Sequence, residues 1–300
     1  MILALTGATG FVGSHLLDLA LAHGHEVRAL TRREQEPRAG VEWVRGDLDD
    51  TRALAQLVER AEAVIHVAGV VGATSAEAFE RGNVTGTSNM VAACEAAGAA
   101  RFVHVSSLAA REAALSLYCG SKFRAEEVVR ESRLGWTIVR PPAVYGPRDT
   151  EMFELFRAAS KGLVPVPARG ATSVIHVRDL ARLLLALARS APDKAIFEPD
   201  DGRPGGWGHR ELGEAIATAV GRKGRVIGVP PTMLGLGARL DSLFRGAKAK
   251  LTPDRAAYIA HPNWVSREAA RPPVALWHAE IGTEEGLRDT ARWYREAGWL

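Results

Sequence analysis

Cysteine is scarce in this chain of 300 residues: there are two, Cys94 and Cys119. Both fall in stretches of helical periodicity. Neither stands at a metal-ligand spacing, so no metal is expected. A disulfide scaffold is excluded, and a reduced, cytoplasmic setting fits. Long apolar runs are missing as well. Leu180 to Ala188 is apolar, but it is short and bounded by charge, so no membrane span is expected and no membrane partner with it. The first strand-like run begins at Ile2, which leaves no room for a signal peptide. An excess of charge of one sign is nearly absent. The net charge is +3, with no basic run and no basic helix face, which argues against nucleic acid as a main partner. There is no internal repeat and no low-complexity segment. What remains, 47% hydrophobic and 24% charged residues, is ordinary globular composition. The length allows one large or two modest domains.

What is present is organised around the N-terminus. The apolar run Ile2 to Leu5 reads as a buried parallel strand. It leads into Thr6-Gly7-Ala8-Thr9-Gly10-Phe11-Val12-Gly13, and then into a helical pattern from Ser14 to His23. Strand, glycine turn and helix in that order form a phosphate cradle. Gly7 permits the tight turn, Gly10 lets a pyrophosphate approach the backbone, and Gly13 lets helix and strand pack closely. The amides at the helix start, with the dipole behind them, favour an anion. Gly7, Thr9, Gly10, Phe11, Val12 and Gly13 are therefore the candidate cradle. The spacing is Gly-x-x-Gly-x-x-Gly, not the commoner Gly-x-Gly-x-x-Gly.

Further strand patterns follow at Glu26 to Leu30, Val41 to Val44, Ala63 to Val67, Arg101 to Ser106 and Trp136 to Arg140. Helical patterns lie between them at Thr51 to Arg60, Gly86 to Ala97 and Tyr118 to Ser132. Such alternation predicts an α/β fold with a doubly wound parallel sheet. Ligands then gather at the carboxyl ends of the strands.

After the second strand comes Thr31-Arg32-Arg33. An acid there would select NAD; Thr31 is uncharged, and Arg32 and Arg33 suit a ribose 2′-phosphate, so NADP is expected, with NAD as the alternative. After the third strand, Asp47 and Leu48 are candidates for the adenine end, while Asp49 and Asp50 read as helix caps. After the fourth, Val67-Ala68-Gly69 are small enough for a cofactor to lie on the backbone, and His66 reads as a packing histidine. Asn83 stands where it would cap the next helix.

The fifth strand ends at Ser106-Ser107, and Tyr118 and Lys122 follow at i and i+4 on the next helix, sharing one face. A tyrosine hydroxyl has a pKa of about 10, and a nearby ammonium favours its phenolate. A hydroxyl from Ser107 would hold a substrate oxygen. A group so placed contributes about 10²–10⁴-fold to a proton transfer.

Taken together, TGATGFVG (6–13), GDL (46–48), HVAG (66–69), NVTGTSN (83–89), HVSS (104–107), YCGSK (118–122), RPPAVYGP (140–147) and HVRDLA (176–181) resemble the extended short-chain dehydrogenase/reductase superfamily, in its NAD(P)-dependent epimerase/dehydratase branch. The resemblance covers roughly the first 190 residues. It implies a Rossmann-like sheet with a smaller C-terminal α/β substrate lobe. It also implies Tyr118 as acid/base, Lys122 on the nicotinamide ribose, Ser107 on the substrate oxygen, and Pro141 and Val144 beside the nicotinamide. His176 and Asp179 take structural roles linking the lobes. A homodimer through the Tyr118 helix is common among such relatives. The chain departs from the dehydratases after the serine strand. It reads Ser107-Leu108-Ala109-Ala110-Arg111, with no acid pair to eliminate water. Leu108, Ala109, Val70 and Val71 would instead wall an apolar pocket.

The expected domains are 1–150 with about 172–200 for the dinucleotide, and 151–171 with 201–300 for the substrate. In the second half, Met152 to Lys161 reads as helix, and Ser173 to Val177 with Leu180 to Ser190 as a strand and helix rejoining the first lobe. Thr283 reads as the cap of a last helix, and Trp264, Trp277, Trp293 and Trp299 as core. The expected activity is NAD(P)-dependent hydride transfer, with NADP(H) preferred, to or from a small or medium carbonyl or alcohol. Two alternatives stand beside it. One is a nucleotide-sugar epimerase, with Arg239, Arg245 and Lys248 as pyrophosphate candidates. The other is a non-catalytic NADP-binding accessory or sensor protein.

Overall fold

Over the first 140 residues each short apolar run becomes a strand, and each amphipathic stretch a covering helix. The computed structural model describes residues 1–190, 194–246, 249 and 251–300. The first part of the chain forms β1 (Ile2–Thr6), α1 (Phe11–Ala22), β2 (Glu26–Thr31), β3 (Val41–Arg45), α2 (Thr51–Val58) and β4 (Ala63–His66). Next come α3 (Ala76–Phe79), α4 (Gly86–Ala97), β5 (Phe102–Val105), α5 (Leu117–Glu131) and β6 (Trp136–Val139). Then follow β7 (Ala143–Tyr145), α6 (Phe153–Ser160), β8 (Leu163–Pro167), β9 (Ala171–Thr172), β10 (Val174–His176), α7 (Val177–Arg189) and β11 (Ala195–Phe197). The chain ends with β12 (Trp207–Gly208), α8 (His209–Ala219), β13 (Arg225–Val229), α9 (Pro231–Arg245), α10 (Pro253–Ala260), β14 (Asn263–Trp264) and α11 (Thr283–Glu296).

The chain divides into two compact units. The first is Met1–Arg140, Leu180–Glu198 and Pro272–Trp277; the second is Pro141–Asp179, Pro199–Arg271 and His278–Leu300. The first holds a seven-stranded sheet in the order β11-β6-β5-β4-β1-β2-β3, parallel throughout. Successive strands run outward on one side from β1 and on the other from β4, so the switch point lies between those two. All four residues of β4 and of β5 are buried, as a sheet covered on both faces requires. On one face Leu54 and Leu57 of α2 meet Met90 and Cys94 of α4. Each large apolar side chain buried there contributes about 1.5–3 kcal/mol.

The second unit has its own core. Phe156 of α6, Ile216 of α8 and Leu287 and Tyr294 of α11 pack with Tyr145 and Val164. Three small sheets frame it: β10-β7, β12-β9-β14 and β13-β8. Trp264 and Trp277 are buried within their respective units.

Four details differ from the sequence expectation. β11 pairs with β6 and adds an unforeseen seventh strand. The strand at Val174–His176 pairs with β7 in the second unit and does not join the large sheet. Asp50 caps α2 through the Arg52 and Ala53 amides, but Asp49 is drawn to the Arg81 guanidinium at 2.6 Å. Thr283 gives its hydroxyl to the Asp201 carboxylate at 2.6 Å, so Gly282 occupies the cap of α11 without a side-chain bond; a charged acceptor holds a hydroxyl more strongly than a cap does.

Below the end of β5 lies a buried ion cluster. Glu126 accepts from Arg140 Nε at 2.8 Å and Nη2 at 2.6 Å, from Arg130 at 2.7 Å and from the Ser106 hydroxyl at 2.5 Å. Arg140 also faces Glu198 at 3.5 Å, and Arg111 reaches Glu198 at 3.2 Å. Burial alone would push the Glu126 carboxyl up; Arg140, Ser106 and Arg130 together hold it below its ordinary value. Arg140→Met removes the one cation that touches both buried carboxylates, leaving Glu126 with Arg130 and Ser106 and Glu198 with Arg111. The expected loss is about 3–5 kcal/mol of unfolding free energy at neutral pH, read by urea denaturation. The deficit shrinks as pH falls through the carboxylate range, because a depressed carboxylate pKa stabilises only above it. A loss under about 1 kcal/mol would contradict the cluster's role.

Candidate active site

The glycine loop between β1 and α1 is built to exclude side chains. Gly7 has φ +75°, and a Cβ there would sit 2.8 Å from the Ala68 amide nitrogen. A Cβ on Gly13 would come 2.0 Å from the Gly7 carbonyl oxygen. Gly10 stands at the cap of α1 in an extended conformation and donates its amide to Gly7 O at 2.9 Å. No side chain caps α1 and no acid lies in its first turn. The first amides of the helix thus lack intrahelical partners and suit an anion. Thr9 is exposed, and Phe11 and Val12 are half-buried along this rim. The cradle fits a dinucleotide pyrophosphate.

Beside it, β2 ends at Thr31, whose hydroxyl donates to Arg33 O at 2.8 Å and fixes a turn. Arg32 and Arg33 are exposed just beyond. Asp47 is exposed after β3 and accepts the Asp49 amide at 2.9 Å. Leu48 is half-buried and its carbonyl takes the Asn89 amide group at 2.8 Å. After β4, Val67 and Ala68 are half-buried and Gly69 is exposed. The Ala68 amide donates to the Thr6 hydroxyl at 3.1 Å, which locks this segment against β1.

The acid–base candidates gather at the end of β5. Ser116 caps α5 by accepting the Cys119 amide at 3.1 Å. Tyr118 lies in the first turn, half-buried, its ring 6.0 Å from that of Phe79. Lys122 is one turn further on. It is 6% exposed and donates Nζ to the Val105 carbonyl at 2.9 Å. Ser107 follows two residues after Val105, half-buried, and its Oγ accepts the Ala109 amide at 3.2 Å. Its turn, Leu108–Glu112, packs on α5. Leu108 and Ala109 are buried in that packing, so of the four residues expected to wall a pocket only Val70 and Val71 stay accessible.

Burial lowers the Lys122 ammonium from its ordinary 10.5 to about 8, with Glu126 acting in the opposite sense. His66 and His104 are cross-strand neighbours with rings 5.5 Å apart. Burial, and then the Lys122 charge, pushes His66 down to about 3 and His104 well below its ordinary value. His66 bridges the Thr6 and Thr87 hydroxyls at 2.7 and 3.2 Å. It is a packing histidine.

One functional side chain escaped the sequence reading. Asn83 caps nothing. It sits in a π-turn, Glu80–Thr85, that runs directly into α4, so the expected cap position is already helical. Its amide accepts the Val70 amide at 2.7 Å and donates to Val70 O and to the Ser121 hydroxyl, both at 2.9 Å. Ser121 in turn donates to the Tyr118 carbonyl at 2.8 Å. Asn83 thus ties the loop after β4 to the helix carrying Tyr118 and Lys122. A Cβ on Gly69 would come 3.0 Å from Asn83 Oδ1 and 3.8 Å from Lys122 Nζ. A buried asparagine followed by a helix was the available signal.

Pro141 and Val144 belong to the second unit, Pro141 opening it and Val144 pairing with Ile175. So do His176, whose ring meets that of Tyr145 edge-on at 5.3 Å, and Asp179, which accepts the Glu280 and Ile281 amides. Of the candidate pyrophosphate cations, Arg239 and Arg245 lie on α9, and Lys248 lies outside the described residues. Among the described residues no group of three or more His, Cys, Asp or Glu side chains could hold a metal ion.

A glycine cradle at the switch point of a doubly wound sheet, with a buried lysine one strand away, defines a dinucleotide-binding enzyme. The NAD(P)H-binding family model matches residues 7–191. The chain belongs to that family, and its cofactor is NAD(P). It is 39% identical to a ceramide reductase of Caulobacter vibrioides, over 100% of this chain and 96% of that one. It is 28% identical to a 2-alkyl-3-oxoalkanoate reductase of Stenotrophomonas maltophilia, over 96% and 98% of the two chains. Among solved structures it resembles the UDP-glucose 4-epimerase of Thermus thermophilus in complex with NAD. The TM-score is 0.73 and the identity 23%, covering 99% of this chain and 100% of that one. At that identity the likeness is one of fold.

The depressed lysine makes folding depend on pH. Between about 8 and its ordinary 10.5 the unfolded chain holds a proton that folded Lys122 has lost. Stability therefore rises with pH in that window, by up to about 1.4 kcal/mol per pH unit relative to Lys122→Met. Denaturation curves of the two proteins across the window check this; parallel pH dependence would contradict it.

Proposed function

We propose that this chain is an NADPH-dependent ketoreductase acting on a carbonyl carried by a long hydrocarbon. The observation that carries the reading is the 39% identity, end to end, with a protein named ceramide reductase. The second relative's name, an oxoalkanoate reductase, points to the same chemistry. The absence of an acid pair after Ser107 is consistent with it, since reduction needs no elimination of water. Such a substrate is larger than the small or medium carbonyl expected from the sequence motifs.

The chain's own groups would divide the work as follows. Gly7, Thr9, Gly10, Phe11, Val12 and Gly13 would hold the pyrophosphate, Arg32 and Arg33 the 2′-phosphate, Asp47 and Leu48 the adenine end, and Val67, Ala68 and Gly69 the dinucleotide's inner face. Pro141 and Val144 are assigned to the nicotinamide side. When bound, the reduced nicotinamide supplies the hydride. Ser107 would donate a hydrogen bond to the substrate oxygen, and Tyr118 would give that oxygen its proton. Lys122 would hold the ribose and keep positive charge near the tyrosine oxygen. Tyr118→Phe should lower turnover by about 10²–10⁴-fold with the dissociation constant for NADPH unchanged. Full turnover in that variant would sink the proposal.

The cofactor preference is read separately. Charged hydrogen bonds are worth about 1.5–3 kcal/mol each. Arg32→Ala with Arg33→Ala removes at least one such bond and should therefore weaken NADPH by at least about tenfold and leave NADH binding alone. Equal dissociation constants of the parent chain for the two cofactors would refute the preference.

A second reading is a nucleotide-sugar epimerase, and the likeness in three dimensions favours it: solved neighbours include epimerases and dehydratases bound to NAD. It would need a pyrophosphate site in the second unit and a cofactor that never leaves. Interconversion of UDP-sugars with tightly retained NAD(H), and no net oxidation of added NADPH, would establish this reading against the first.

A further inference from the structure

Five of the eleven large apolar side chains exposed among the described residues lie on one helix. On α9, Met233, Leu236, Leu240, Leu243 and Phe244 are exposed, Leu243 at 77% and Phe244 at 81%. At 3.6 residues per turn these five fall within an arc of about 100°, spread over about 16 Å of helix. The opposite side of α9 is the inner one. Ala238 is fully buried there, and Asp241 accepts the Leu251 amide at 2.9 Å just before α10. The outward arc therefore holds large aliphatic and aromatic groups where a solvated helix carries polar ones.

The charge around this face is equally uneven. Arg222, Lys223 and Arg225, all exposed, precede α9; exposed Arg239 lies within it at the edge of the arc, and Arg245, on the other side of the helix, pairs with Asp241 at 3.3 Å. Lys248 and Lys250 follow in the sequence, outside the described residues. Against these seven cations the stretch 222–250 has one acid, Asp241, so it carries +6 where the whole chain carries +3. The rest of the chain is accordingly net negative. Arg225 opens β13 just after Arg222 and Lys223, and Arg239 and Arg245 lie on α9.

We propose that α9 lies on the surface of a membrane containing anionic lipid, its apolar arc among the acyl chains near the headgroups and the neighbouring cations on the phosphates. An exposed apolar arc flanked by cations is the chemistry of an interfacial helix. Arg239 at its edge and the exposed Arg222, Lys223 and Arg225 before it match an anionic leaflet. A nucleic acid would use the charge and leave the leucines in water; an apolar protein groove would use the leucines and leave the charge unmatched. No helix among the described residues is long and apolar enough to cross a membrane, and lying on the surface needs none. The proposal stands independently of which substrate is reduced.

Co-sedimentation of the full chain with vesicles tests it. Phosphatidylcholine vesicles containing phosphatidylglycerol should bind at least about tenfold more tightly than phosphatidylcholine alone, and added salt should weaken that binding. Leu243→Ser with Phe244→Ser should lose at least about tenfold of it at unchanged melting temperature and unchanged NADPH binding. Arg239→Glu, at another exposed position, should weaken anionic vesicles and not neutral ones. Equal sedimentation of the parent and the double variant would overturn the proposal. So would a dimer that the double variant splits while vesicles go unbound, which would make the face a contact between copies. Tighter binding to duplex DNA than to anionic vesicles would assign the cations to nucleic acid and overturn it as well.

Discussion

Lys122 holds its ammonium where water hardly reaches, against the last carbonyl of β5. Its folded pKa of about 8 measures what that position costs. Much of the first unit is arranged to tolerate it. Glu126 stands one turn along the same helix, and the carboxylate is itself fastened by Arg140, Arg130 and Ser106. His66 and His104 remain neutral beside the lysine and so add no like charge. A buried charge of this kind is weak as a source of stability, and its value lies in being charged at neutral pH within a rigid frame.

The same frame fixes the cofactor end. Gly13 tolerates no side chain because its Cβ would meet the Gly7 carbonyl, and Gly7 tolerates none because its Cβ would meet Ala68. Ala68 in turn is tied through Thr6 to β1, and Val70 through Asn83 to α5. The phosphate cradle and the acid–base helix are therefore two ends of one hydrogen-bonded path. That path joins a turn near residue 10 to the helix that carries Lys122.

Much of this could be read in the sequence. The six strands from β1 to β6 follow apolar runs, and the helices between them follow amphipathic periods, so composition and pattern sufficed there. The glycine spacing and the Tyr118–Lys122 interval are local features and survive reading one residue at a time. What was lost depends on distant partners. β11 is three residues long and exists because β6 offers an edge. Asn83 resembles a cap until the π-turn is seen, and Asp49 and Thr283 resemble caps until Arg81 and Asp201 draw them away. The excess of cations over residues 222–250 is diluted by the apolar residues between them, and it gains meaning only beside the exposed side of α9.

In the proposed reaction hydride passes from NADPH to a ketone held beside Tyr118, with net consumption of the cofactor. Incubation with NADPH deuterated at the transferred position of nicotinamide C4 and a long-chain ketone tests it most directly, with mass spectrometry of the alcohol. One deuterium on the carbinol carbon for each NADP formed is the expected result. Deuterium that stays on the nucleotide while a UDP-sugar is epimerised would contradict it.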